Sequence, residues 1–221
     1  MDAQTVLRVA ARALARHGLV HAYGHVSMRL DSERFLVCAA RPMALIGLGD
    51  DGTVVPVTGA LPDGVLGEVK IHQQIYALRP DVNAVARTMP PALMTLGTAR
   101  LTPLPRHGFG AYFGRGVPLW DDPQLLRDDT AAKALAETLG DEPAVVMRGN
   151  GTVVAADSLM KAVVLTWYLE DAARLELAIL SAGLAQESAI LTDAECSRRA
   201  TSAGQIFERM WDYLTAGDPE R

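Results

Sequence analysis

Cysteine is nearly missing from this chain. Its 221 residues hold only Cys38 and Cys196, too few and too far apart for a disulfide framework, so each is expected as a small buried hydrophobe. No Lys/Arg-rich block occurs and the net charge is -5, which argues against a nucleic-acid partner, because phosphate binding depends on clustered basic residues. Apolar runs such as residues 144–147 are far too short to cross a bilayer. Residues 1–5 show no basic segment leading into an apolar one, so a cytoplasmic protein without a membrane partner is expected. No Pro/Gly/Ser-rich linker and no internal repeat divide the chain, and no glycine fingerprint follows the first strand, so a dinucleotide fold is unsupported. What is there, 49% hydrophobic and 21% charged residues, can bury a sizeable core as one domain over residues 1–221. Partners are then small molecules or sister subunits.

Val6, Leu7, Ala10, Leu14 and Ala15 recur at helical spacing before Gly18, predicting a first amphipathic helix with the solvated His17 in its last turn. Residues 35–38 and 53–57 read as antiparallel strands divided by the turn-rich segment 47–52. A helix over 67–78 stops before Arg79-Pro80 and a strand over 82–88 follows. Pro90 and Pro91 precede a short helix near 92–96. Further on, helix 129–139, strand 144–148, the Gly149-Asn150-Gly151 turn, strand 152–155, a long helix 158–181 and a final helix 193–213 complete the order. Trp167, Tyr168, Trp211 and Tyr213 read as core, covering the sheet or meeting another subunit. Strands interleaved with helices predict a mixed or antiparallel sheet between helical layers.

Four segments, in order, resemble the class II aldolase/adducin family. They are Tyr23-Gly24-His25-Val26-Ser27-Met28-Arg29; Glu68-Val69-Lys70-Ile71-His72 with Arg79-Pro80-Asp81-Val82-Asn83-Ala84-Val85; His107 with Tyr112-Phe113-Gly114 and Val117-Pro118-Leu119; and Arg148-Gly149-Asn150-Gly151. The resemblance implies an α/β fold, an αβα three-layer sandwich with a mostly antiparallel central sheet, and a homotetramer with active sites between subunits. In metal-dependent members a helix glutamate and three histidines hold the metal. Here the glutamate matches Glu68, whereas the three histidine positions read Arg87, Met89 and Asn150. Arginine cannot give up its proton to become a ligand, and a thioether is a poor partner for zinc. No cofactor is therefore expected, and a divalent metal enters only if its ligands are relocated to His25, Glu68 and His107. The phosphate-binding positions of the sugar-phosphate aldolases read His25, Leu66 and Gly67, and their tyrosine acid reads Gly108. The Gly-His-Val-Ser form resembles a branch acting on hydroxylated acids, decarboxylases included, which implies a carboxylate-bearing substrate.

The implied cleft gathers Glu68, Arg87, Asn150, His25 and His107, with Arg41 and Arg148 at its rim. Arg87 is expected to stand where the metal stands in relatives, holding a carboxylate or enolate by paired hydrogen bonds. Glu68 or a histidine then moves a proton, an imidazole titrating near neutral pH. The catalytic set is thus Glu68, His25, His107 and Arg87, and the substrate-binding set Arg87, Asn150, Arg41 and Ser27. Structural alternatives stand beside each: Glu68 and Arg87 as a buried ion pair, His72 as helix packing, Asn150 as a left-handed turn residue. Three functions remain open: a metal-independent lyase or isomerase working through an enolate, a noncatalytic scaffold or binding protein, and a metalloenzyme with relocated ligands.

Overall fold

The computed structural model describes residues 1–114 and 116–221. Helix α1 (Ala3–Arg16) starts where the Asp2 carboxylate accepts from the Thr5 amide at 2.9 Å, satisfying one of the unpaired amides of its first turn. Strands β1 (His25–Arg29), β2 (Arg34–Val37) and β3 (Thr53–Pro56) follow as an antiparallel meander. The chain then crosses through α2 (Lys70–Leu78) to β4 (Ala84–Thr88) in the middle of the sheet. After α3 (Pro91–Thr98), β5 (Leu119–Trp120), α4 (Asp129–Leu139), β6 (Ala144–Met147) and β7 (Gly151–Ala156) complete seven strands in the order β3-β2-β1-β4-β7-β6-β5. Helices α5 (Leu159–Ser181), α6 (Asp193–Arg199) and α7 (Ile206–Thr215) close the chain.

Side-chain alternation sorts the sheet into two faces. Val26, Ala84, Ala86 and Val154 pack against Leu14 of α1, Leu93 of α3, Leu169 of α5 and Phe207 of α7. Phe35, Val85, Val145 and Val153 pack against Ile71 and Ile75 of α2 and Leu135 of α4. This is the expected three-layer α/β arrangement, with a mostly antiparallel sheet made mixed by β5, which runs parallel to β6. Two residues of strand carry no readable alternation, which is why β5 escapes the sequence. The expected single helix over 193–213 is two, because Gly204 (φ 71°) and Gln205 (φ 55°) adopt left-handed backbone and reset its direction. Tyr213 is 61% exposed rather than core, and its ring lies 5.5 Å from that of His17, whose Nε2 reaches the Leu214 carbonyl oxygen. Both cysteines are buried and free. Among the described residues, no helix is long and apolar enough to cross a membrane.

Two buried carboxylate contacts lock the helical layer. Helix α3 has no side-chain cap of its own; Glu170 of α5 supplies one, accepting from the Ala92 and Leu93 amides at 3.0 and 3.1 Å. Along α1, Arg8, Arg12 and Arg16 stand on one face at spacing i, i+4, i+8 and bind the segment after α7. Arg12 reaches Asp218 at 2.6 Å and Glu220 at 2.8 Å, Arg8 reaches Glu220 at 2.6 Å, and Arg16 reaches Asp218 at 3.2 Å. Burial alone would raise the Asp218 carboxyl, yet the hydrogen bonds from Arg12 and the Glu220 amide hold it below its ordinary value. Breaking a buried pair leaves an uncompensated charge, so Arg12→Ala is expected to cost about 3 kcal/mol in urea unfolding at pH 7. Because the carboxyl is depressed in the folded state, its stabilisation is present above the unfolded pKa and lost as pH falls through the folded one. The Arg12→Ala penalty should therefore shrink below about pH 4; a penalty independent of pH would mean that packing, not charge, holds this segment.

Candidate active site

Strand register places one arginine and one histidine together. His25 at the start of β1 is directly opposite Arg87 near the end of β4, and Ser27 is opposite Val85. Val26 and Ala86 turn toward α1 and α5, so His25, Ser27 and Arg87 turn toward α2. Directly opposed residues have Cβ atoms about 4.5–5.5 Å apart, so imidazole and guanidinium sit side by side. His25 is thus the first residue of a strand. Glycine is needed just before it: at φ 146° a Cβ on Gly24 would meet Val20 Cγ1 at 2.8 Å and the Arg87 carbonyl oxygen at 3.1 Å. Gly151 plays the same part across β4, where a Cβ would run into the Thr88 carbonyl oxygen.

Arg87 is 3% exposed and donates from Nη2 to Asn150 Oδ1 at 2.5 Å, while its Nε has no partner among the described residues. Asn150 takes this role with an ordinary negative φ, since Gly149 and Gly151 carry the positive angles of the turn; the left-handed reading of Asn150 is wrong. The expected Glu68–Arg87 ion pair does not form either. Glu68, its side chain 17% exposed, has Arg127 at 3.6 Å. Its charge still reaches Arg87: burial lowers the arginine's pKa and Glu68 partly opposes this.

Beside Arg87 runs a buried chain of four polar side chains. His25 Nδ1 lies 2.7 Å from His72 Nε2, His72 Nδ1 lies 2.6 Å from Ser27 Oγ, and Ser27 Oγ lies 2.8 Å from the Tyr76 hydroxyl. His72 and Tyr76 come from one face of α2 at i, i+4, so the helix delivers the second half of the chain and the strand the first. Burial drives the His25 pKa far below its ordinary value, with His72 and Arg87 adding to the effect. Burial and Arg87 together bring His72 down to about 3. Neither titrates near neutral pH as the sequence suggests, and among the described residues His25 Nε2 has no hydrogen-bond partner. His72 and Tyr76 are the members that sequence reasoning misses; their i, i+4 spacing behind Glu68 is the available signal.

The remaining expected residues lie apart. His107 is on the opposite side of the sheet, its Nε2 2.8 Å from Asp171 of α5 and its Nδ1 accepting from the Gly110 amide. Arg41 is half exposed and bound to Asp50 at 2.5 Å, and Arg148 is bound to Asp121. Ser27 is fully buried within the chain of four and does not face a ligand. His25, Glu68 and His107 therefore do not converge, and among the described residues no three His, Cys, Asp or Glu side chains are grouped to hold a metal ion. The Arg87–Asn150 bond, with a fixed cation at its centre, does not fit a divalent metal. A cavity of about 150 Å³ adjoins His25, lined also by Val37, Cys38, Leu66, Val69 and Asp63, comparable to the cavity of about 150 Å³ that holds benzene. Larger cavities of about 480 and 460 Å³ around Tyr112, Asp141 and Pro143 contain neither Arg87 nor His25.

Residues 6–177 match the family model described as Class II Aldolase and Adducin N-terminal domain, and the chain belongs to that family. It is 31% identical over 199 residues to a 3,4-dihydroxyphthalate decarboxylase from Rhodococcus jostii (strain RHA1), covering 82% of each chain. A 3,4-dihydroxyphthalate decarboxylase from Arthrobacter keyseri is 30% identical over 199 residues, covering 82% of this chain and 80% of the relative. Among solved structures, an aldolase II superfamily protein from Pseudomonas syringae superposes with a TM-score of 0.81 at 23% identity, covering 97% of this chain and 92% of that one. An L-fuculose-1-phosphate aldolase from Thermus thermophilus gives 0.73 at 24% identity, covering 82% and 96%. These two likenesses show the fold.

Two outcomes follow from this geometry. Both histidines are neutral when folded and titrate near pH 6.5 when unfolded, so their depressed pKa removes stability as pH falls below that value. Unfolding free energy should drop by up to about 2.7 kcal/mol per pH unit between pH 6 and pH 4, and His25→Asn should roughly halve the slope. A flat profile there would mean that the imidazoles are charged in the native state. Replacing a buried charge by a well-packed apolar side chain is commonly neutral or stabilising by about 1–4 kcal/mol. Arg87→Met is accordingly expected to leave stability unchanged or raise it in urea unfolding, whereas a loss of several kcal/mol would make Arg87 a structural residue.

Proposed function

We propose that this chain is a lyase that removes a carboxyl group from a small hydroxylated aromatic acid, of the dihydroxyphthalate kind, with Arg87 supplying the positive charge that a metal supplies elsewhere in the family. One observation carries the reading: Arg87 is a buried guanidinium with an unused Nε, next to a buried imidazole with an unused Nε2. Burying a cation is costly unless it is paired, and a side chain kept in this state is built to receive an anion. The identity to the two decarboxylases supports a carboxylate-bearing aromatic substrate.

The chemistry asks little of a metal. Protonation of the ring carbon that bears the carboxylate turns the hydroxyl ortho or para to it into a ring ketone, and when the bond to the carboxylate then breaks, its electron pair flows onto that oxygen and restores the aromatic ring as a phenolate. A fixed guanidinium donates paired hydrogen bonds to such an oxygen, and in a dry site it stabilises developing charge without reorganising. Glu68, at the less buried edge of the site, moves the proton that replaces the departing carbon dioxide. Asn150 holds the guanidinium at its Nη2 and leaves Nε free.

The test is carbon dioxide release from 3,4-dihydroxyphthalate by protein dialysed against EDTA. Turnover should survive the chelator, and Arg87→Ala should lower kcat/KM by about 10²–10³-fold, with Arg87→Lys failing to restore it because a single ammonium lacks the paired donors. Turnover that returns only with added divalent metal would overturn the metal-free mechanism. No turnover, together with no thermal shift by hydroxy acids, would leave the noncatalytic scaffold reading.

A further inference from the structure

The four-membered chain beside Arg87 has a direction. Each of its three contacts holds one hydrogen and each neutral imidazole carries one, so the donor at the His25–His72 contact fixes the donor between His72 and Ser27. In the first arrangement the Tyr76 hydroxyl donates to Ser27 Oγ, Ser27 donates to His72 Nδ1, and His72 Nε2–H donates to His25 Nδ1. His25 then carries its hydrogen on Nε2. In the reverse arrangement His25 donates from Nδ1 and His72 donates from Nδ1 to Ser27 Oγ, so the Ser27 and Tyr76 hydroxyls share one contact and one of their hydrogens must leave the chain. Ser27 is 0% and Tyr76 2% exposed, and among the described residues their hydroxyls reach His72 Nδ1 and one another. The nearby Val85 amide is itself a donor. The reverse arrangement therefore strands a hydroxyl hydrogen in the closed interior, whereas the first leaves its spare hydrogen on the ring of His25, which adjoins the cavity of about 150 Å³ where a ligand oxygen can accept it.

A second observation agrees. If His25 Nε2 were a bare lone pair, it would be an acceptor beside a guanidinium whose Nε–H has no acceptor. Two donors side by side cannot satisfy one another, and neither atom has a partner. We infer that Ser27 and His72 are positioning residues that lock His25 as the Nε2–H tautomer, so that His25 Nε2–H and Arg87 Nε–H form a pair of unfilled donors for one oxyanion. The tautomer stands on the geometry alone; its service to a substrate carboxylate or ring oxygen rests on the decarboxylase reading above. His25 is then a neutral hydrogen-bond donor to substrate and not its base, which leaves proton removal or delivery to another group.

The experiment is long-range proton–nitrogen correlation NMR on the ¹⁵N-labelled, ligand-free full chain, which reports the protonation of each imidazole nitrogen. His25 and His72 should each show a protonated Nε2 and an unprotonated Nδ1, unchanged from pH 8 to pH 6. Ser27→Ala removes the hydroxyl that must find an acceptor at His72 Nδ1; in the folded variant the His25 signal should move toward a mixture of tautomers, whereas Tyr76→Phe, which leaves that hydroxyl in place, should keep the Nε2–H form. With phthalate as a non-hydroxylated probe, the wild-type His25 Nε2–H resonance should shift on binding and the Ser27→Ala affinity should fall by about tenfold, the scale of one charge-assisted hydrogen bond. An Nδ1–H signal for His25 in the wild type, or a tautomer unaffected by Ser27→Ala, overturns the inference whatever the activity. A locked Nε2–H tautomer in a protein that decarboxylates nothing and binds no phthalate would sustain the lock and sink the decarboxylase reading.

Discussion

The guanidinium of Arg87 is the constraint around which the middle of this sheet is organised. It sits on β4, the strand that joins the β3-β2-β1 meander to the β7-β6-β5 half, and it is almost completely withdrawn from water. A permanent charge in that position must be met by something. The chain meets it in part: Asn150 accepts one hydrogen bond and Glu68 contributes a more distant negative charge. The remainder is left open at Nε. Backbone approach on both sides, through Gly24 and Gly151, brings β1 and the β6–β7 turn close enough for His25 and Asn150 to flank the arginine.

A buried cation also dictates what its neighbours can be. Two imidazoles within its field cannot take a proton without adding like charge to a region of low dielectric, so they stay neutral and spend their nitrogens on one another and on Ser27. The outcome is a site whose buried charge is positive and whose buried imidazoles and hydroxyls are neutral donors and acceptors held by hydrogen bonds, with the Glu68 carboxylate at its edge. Its electrostatic character does not change over the pH range in which a cell operates. That suits recognition of an anion whose own charge is constant, and it separates the binding of the anion from the movement of protons.

Much of the fold is legible in the sequence because it depends on periodicity. Helices α1, α2, α4 and α5 and strands β2, β3, β4 and β6 carry apolar spacings that local physics reads directly, and the ordered motifs around Gly24, Glu68 and Gly149 point to the family. The site is legible in its parts and not in its wiring. Arg87 and His25 both stand out in the sequence, but their juxtaposition is a matter of strand register, which pairs residues 62 positions apart. Charge alone argues for pairing Glu68 with Arg87, and the hydrogen-bond geometry of the Asn150 turn prevails over it. The motif next to His107 suggests the cleft, whereas its position on the helical face opposite α2 is decided by which side of the sheet the 103–113 segment covers. His72 and Tyr76 look like packing because a helix interior shows nothing about which polar groups await it on the sheet.

The hydrogen bond between Arg87 and Asn150 also governs the order in which this site can change. A histidine introduced at position 150 alone would press an imidazole against a fixed guanidinium, and it could not bind a cation with another cation in contact. A histidine at position 87 alone would remove the guanidinium and leave the amide of Asn150 to find a new donor, a smaller cost that solvent or a rotated amide can meet. Interconversion with a three-histidine site thus has a preferred first step at residue 87, and mutational paths beginning at residue 150 are blocked by charge before any benefit can accrue.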